Sequence, residues 1–278
     1  MHRLIRILLL VLAMSAPAMA QERVLVPSAG DGPEAVELFV HAPEGTGPWP
    51  VILFVHGHQS APRPGGRVFM QLDRRPTLGT LDEGRLERMR ERGYLAAAVS
   101  LPGYGETPGP SDFWGPRAQA ALSAALDYLL GLPDADRGRV AVYGVSGGAM
   151  TAAIVATRDP RITALVLAAG LYDLGKAYPT GDPGLDAYIE REAGLSPEAF
   201  AARSALRGAD GIRAATLILH GANDTRGTMV SQARRLAERL RERGVPVRAR
   251  IFEDTGHSIP IGAQWEEIDP FLMDVIGR

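Results

Sequence analysis

Cysteine does not occur among the 278 residues. That rules out disulfides, thiolate metal centres and a cysteine nucleophile. Neither sign of charge dominates, with 30 Lys and Arg against 32 Asp and Glu. The basic footprint of a nucleic-acid binder is therefore missing, and no nucleic-acid partner is expected. Lysine is reduced to Lys176, which we read as base composition of the gene rather than function. No apolar run reaches the ~20 residues that cross a bilayer. No His-Glu-x-x-His pattern or comparable ligand cluster calls for a metal, and no other cofactor is implied.

Apolar residues make up 46% of the chain, normal for a packed core, and the length suits one large α/β domain. The first twenty residues read as a signal peptide. His2, Arg3 and Arg6 give a basic start, Leu4 to Ala13 is mostly apolar, and Ala18-Met19-Ala20 fits the small-residue cleavage rule. Cutting is expected after Ala20, which would leave a periplasmic or secreted protein with no stable membrane insertion. Its loss removes two arginines and no acid, taking the net charge from −2 to about −4.

The mature chain, residues 21–278, alternates strands and helices. Residues 36–42 alternate like an early antiparallel strand. Residues 50–55 are a continuous apolar run, the mark of a strand covered on both faces, and residues 95–99, 139–143, 162–168 and 215–220 read as further strands of the sheet. Residues 247–252 form the last strand. Helical patterns fall at 81–92, 118–130, 149–156, 231–243 and 264–276, and residues 61–76 read as loop. This order predicts a mostly parallel, doubly wound sheet with helices on both faces. Residues 171–210 break the rhythm and are expected to lie over the carboxyl edge of the sheet as a cap-like insertion.

Chemistry concentrates at Gly144-Val145-Ser146-Gly147-Gly148, between a strand and a helix. Glycine, any residue, serine, any residue, glycine in that setting is the nucleophile-elbow pattern. The turn admits only small residues two positions either side of the serine. A serine hydroxyl needs a base within hydrogen-bond reach, and the base needs an orienting carboxylate. Of five histidines in the mature chain, only His257 lies in a loop after the last strand, where that loop opens toward the elbow. Asp224 follows the preceding strand, ahead of the rivals Glu253 and Asp254. The chain order Ser146, Asp224, His257 is the order this fold uses. Oxyanion donors are expected from the Gly147 backbone and from the loop after residues 50–55, with His58 preferred over Gly57. His56 and His220 read as structural residues satisfied by backbone contacts, and His41 as a surface strand residue. Phe113, Trp114 and Tyr172 are candidate pocket residues.

These motifs resemble the α/β-hydrolase superfamily, and within it the catalytic domain of the prolyl oligopeptidase family. The likeness rests on the elbow, on Leu219-His220-Gly221-Ala222-Asn223-Asp224, on Gly256-His257 and on Ser204-Ala205-Leu206, and it extends over most of residues 36–278. Two departures stand out. The resembled peptidases carry a large propeller domain for which this length leaves no room. The oxyanion loop is His56-Gly57-His58 rather than a run of glycines. Together the motifs imply acyl transfer to water through an acyl-enzyme on Ser146, with a small ester or a short peptide as substrate. A carboxylesterase is expected first and a short-peptide serine peptidase second. A non-catalytic binding protein on the same scaffold is the alternative of another class.

Overall fold

The computed structural model describes residues 21–58, 84–225 and 229–277. The signal peptide expected at 1–20, the loop expected at 61–76 and the start of the helix expected at 81–92 lie outside them.

The described residues form one eight-stranded sheet of order β1-β2-β4-β3-β5-β6-β7-β8. The strands are β1 Glu22–Pro27, β2 Ala35–His41, β3 Trp49–Val55, β4 Leu95–Val99, β5 Ala135–Val145, β6 Ala164–Ala168, β7 Ala215–Gly221 and β8 Val247–Phe252. From β4 to β8 every neighbouring pair is parallel, whereas β2 runs antiparallel to both β1 and β4. Side chains of a strand alternate between faces. Val51, Leu53 and Val55 of β3 accordingly enter one core, and Ile52 and Phe54 enter the other.

Five principal helices cover these faces: α1 Arg85–Glu91, α2 Pro116–Gly131, α3 Gly147–Ala156, α4 Met229–Glu242 and α5 Ile261–Val275. The larger core takes its helical side chains from α2, α3 and α4, and the smaller from α1 and α5. Every residue of α3 is buried, as expected of a helix that is apolar all round. Helix α4 instead carries its charges outward and buries Ala233, Leu236, Ala237 and Leu240.

Strand β1 was not foreseen. Its apolar stretch is only Val24-Leu25-Val26, and of its six residues only Val26 is buried. It forms by pairing with β2 from Glu22 opposite Val40 to Pro27 opposite Ala35.

Residues 171–210 fold into four short helices, Leu174–Ala177, Pro183–Tyr188, Pro197–Ala201 and Ala205–Gly208, with one π-helical turn at Ile189–Ala193. Asp173, Asp182 and Ser196 cap three of them by accepting backbone N–H bonds. Leu174, Ile189 and Ala205 join the larger core, so the segment is packed onto the domain.

The parallel strands direct the loops after β3, β5, β7 and β8 to one edge, the usual place for ligands in such sheets. One buried ring fastens that edge. His56 Nδ1–H donates to Gly57 O at 2.7 Å, and Nε2 accepts from the Leu101 N–H at 3.1 Å. This links the loop after β3 to the loop after β4. Burial opposes protonation and lowers the His56 pKa from 6.5 to about 4. The unfolded chain therefore binds a proton that the folded chain refuses between those two values. The contribution to stability is fully present above about pH 6.5 and is lost as pH falls toward 4, on the order of 3 kcal/mol in all. Urea titrations at pH 8 and pH 4.5 check this: the midpoint drops at the lower pH, and His56→Gln flattens that drop.

Candidate active site

Ser146 sits at φ 56°, a conformation that L-residues avoid. Holding it there costs on the order of 1–3 kcal/mol, which the neighbouring backbone must offset. The Ser146 N–H is bonded to Ala168 O of β6 at 2.8 Å, and its carbonyl accepts from Ala149 and Met150 as α3 begins. A side chain at Gly148 would run into the carbonyls of Val55 and His56, and one at Gly144 would sit 2.6 Å from Ala149 N. Both positions therefore require glycine, for lack of room rather than for freedom of φ.

The structure brings Ser146, His257 and Asp224 together. His257 Nε2 lies 2.9 Å from Ser146 Oγ, and His257 Nδ1 lies 2.7 Å from Asp224 Oδ2. A carboxylate only accepts, so Nδ1 carries the proton and Nε2 is left to receive one from the hydroxyl. The Asp224 side chain is 1% exposed and that of His257 17%. Water is kept from the acid, while the base faces the cleft.

The sequence reading placed His220 among residues satisfied by backbone alone, and this is corrected. Its Nε2 lies 3.1 Å from Asp224 Oδ2, the same oxygen that His257 engages. Nε2–H must donate, because the carboxylate cannot. Nδ1 has no hydrogen-bond partner among the described residues. His220 is fully buried at the end of β7, and it shares the Asp224 oxygen with His257. The spacing of four residues across a strand end gave no signal of this contact. His56 is bonded to backbone as expected. His41 is half-buried, with Nδ1 3.3 Å from Glu87.

Gly147 is the first residue of α3, so its N–H has no intrahelical acceptor and lies at the positive end of the helix dipole. The loop after β3 crosses just in front, and a Cβ on Gly57 would lie 2.8 Å from Ser146 Cβ. His58 follows in the cleft wall, with Nδ1 3.1 Å from Tyr104 Oη.

Phe113 and Trp114 line the same cleft, together with Leu171, Leu185, Tyr188 and Met229. Tyr172 does not. It is fully buried, belongs to the larger core and lies outside the cleft lining. An aromatic residue in an irregular segment reads as a wall, but this ring fills space beneath the segment. Its phenol is pushed well above the usual tyrosine range by burial, so it stays neutral. Arg203 and Glu192, which fix the wall residues, were missed altogether.

The profile of the prolyl oligopeptidase family matches residues 84–272. The chain belongs to the prolyl oligopeptidase family. This family member is a serine hydrolase of α/β-hydrolase fold. No individual curated protein matches it by sequence. Among solved structures it is similar to a 2,6-dihydroxy-pseudo-oxynicotine hydrolase, with TM-score 0.68, 22% identity, and coverage of 92% of this chain and 68% of that one. It is similar to the Pyrococcus horikoshii acylaminoacyl peptidase, with TM-score 0.73 and 19% identity over 93% of this chain and 42% of that one. It is also similar to the acetyl xylan esterase of Paenibacillus sp. R4, with TM-score 0.69 and 18% identity over 95% and 87%. The chain thus spans less than half of the peptidase.

Ser146→Ala and His257→Ala are each expected to lower kcat at least about a thousandfold with the fold intact, measured with circular dichroism alongside the kinetics. His220→Ala should lower kcat roughly ten- to a hundredfold, the loss of one charge-assisted bond to Asp224. His220→Gln, which keeps a donor, should recover part of it.

Proposed function

We propose that this hydrolase is an exported carboxylesterase working through an acyl-enzyme on Ser146. The observation that carries the chemistry is the 2.9 Å and 2.7 Å relay from Ser146 through His257 to Asp224. His257 takes the hydroxyl proton as Ser146 attacks the carbonyl, then gives it to the departing alcohol. Asp224 holds the imidazole tautomer and favours the imidazolium. The Gly147 amide and a backbone amide of the His58 loop stabilise the oxyanion. Water repeats the cycle in reverse and releases the acid.

Two points support an ester over a peptide. Among the described residues the cleft is walled by Phe113, Trp114 and Tyr188, and its lining holds one carboxylate, Asp182, rather than an acidic pair to hold a peptide amino terminus. The likeness to a protein described as an acetyl xylan esterase runs through most of both chains, whereas the likeness to the acylaminoacyl peptidase covers 42% of it. The second reading, a peptidase of short peptides, draws on the family match itself. Export rests on the character of residues 1–20.

Nitrophenyl esters run beside aminoacyl and prolyl nitroanilides check the assignment, with ester turnover and no anilide release expected. A fluorophosphonate probe should label the wild type and leave Ser146→Ala unlabelled. Mass spectrometry of the exported protein should find Gln21 at its amino terminus, and an intact residue 1 would overturn export with cleavage.

A further inference from the structure

Phe113 and Trp114 are consecutive aromatic residues at φ 48° and 54°. Bulky side chains avoid that region. The pair persists because residues 171–210 pin the backbone on both sides. Arg203 is buried, and its guanidinium is spent on main-chain carbonyls. Nε donates to Asp112 O at 3.2 Å and to Phe113 O at 3.1 Å, Nη2 to Asp112 O at 2.6 Å, and Nη1 to Ala199 O at 2.9 Å. Burial lowers its pKa, and the charges of Asp112 and Glu192 oppose that fall. Glu192 accepts the Phe113 N–H at 3.3 Å and the Ser111 hydroxyl at 2.8 Å. Its remaining charge meets Arg191 at 2.8 Å. From α2, Gln119 Nε2 reaches Trp114 O at 3.4 Å and Ala202 O at 2.8 Å.

What this clamp presents is the Trp114 indole, laid against the Cα of Gly147 so closely that a Cβ there would overlap the ring. Phe113 meets Trp114 edge-on at 4.9 Å, the His58 ring lies 6.1 Å from Trp114, and Tyr188 packs on His58 at 4.8 Å. Four substituents surround the tetrahedral carbon on Ser146. The leaving oxygen must face His257 Nε2, because it receives that proton. The oxyanion faces the Gly147 amide. The acyl substituent takes the remaining direction, and Trp114, packed against Gly147, is the bulky side chain that the structure places beside the oxyanion amide.

We infer that Trp114 is the specificity-determining wall of the acyl pocket and limits the enzyme to short acyl groups of two to four carbons. Arg203 and Glu192 act as positioning residues that hold the wall in place. The inference rests on the ester reading above. It is tested by kcat/KM for nitrophenyl acetate, butyrate and octanoate on the full chain. The wild type should prefer acetate and butyrate. Trp114→Ala should raise the octanoate-to-acetate ratio at least about tenfold, since each methylene accommodated is worth about that much. Trp114→Phe, a smaller change that keeps the packing aromatic, should raise it less. Arg203→Met should raise it too, by releasing the wall. The ratio is taken on one preparation, so a fall in the folded fraction cancels, and a merely structural role leaves it unmoved. A wild type that favours octanoate, or a ratio unchanged in both Trp114 variants, overturns the acyl-wall assignment while ester hydrolysis stands. An unchanged ratio in Arg203→Met overturns the positioning role. Fluorophosphonate labelling without hydrolysis of any ester overturns the ester reading, and the chain-length limit with it.

Discussion

The crowding of the strand-to-helix turn at Ser146 governs the rest of the site. Val55, Ala149 and Gly148 press on that turn from both ends and leave no space for side-chain atoms at Gly144 or Gly148. Compression forces Ser146 into its unfavourable backbone angle and projects its oxygen beyond the sheet edge. It also starts α3 immediately after the nucleophile, so an unbonded amide and the helix dipole arrive at the same spot. The strain is carried by β3, β5 and β6, strands buried along most of their length. A less rigid sheet would let the turn relax and the oxygen retreat.

The relay behind the serine follows the same logic of fixed parts. Asp224 is shared by two imidazoles that arrive from different elements, His220 from the end of β7 and His257 from the loop after β8. An aspartate with a single partner can rotate about its side chain. One oxygen engaged by two rings confines that rotation, and so confines the ring it orients. The buried position of the carboxylate makes both contacts stronger than they would be in water.

The fold and the relay were readable from the residues because their physics is local. Val51 to Val55 is a continuous apolar run since helices cover both its faces. Gly144 and Gly148 are required by a turn whose geometry is the same wherever it occurs. His257 and Asp224 could be placed because strand order fixes where their loops open. The failures share a different cause, since each depended on distant partners. Strand β1 has one buried residue and exists only through its pairing with β2. Tyr172 looks like any loop aromatic until the space beneath the segment is seen. His220 is identified by the oxygen it meets rather than by its neighbours in sequence. Arg203 spends its charge on carbonyls of Asp112, Phe113 and Ala199, and carbonyls leave no mark on composition.

The attachments of residues 171–210 have a bearing on traffic into the cleft. A hatch that swings aside needs few moorings, yet this segment is moored through Arg203 and Glu192, through the Tyr172 and Asp173 N–H groups on Gln232, and through its buried leucines. Lifting it would break those bonds together and leave the Arg203 guanidinium with Ala199 O and the Glu192 carboxylate with Arg191 alone. The segment is therefore a buttress. Access to Ser146 therefore does not call for the segment to lift, and among the described residues Ser258, Pro260 and Ile261 line the cleft beside His257.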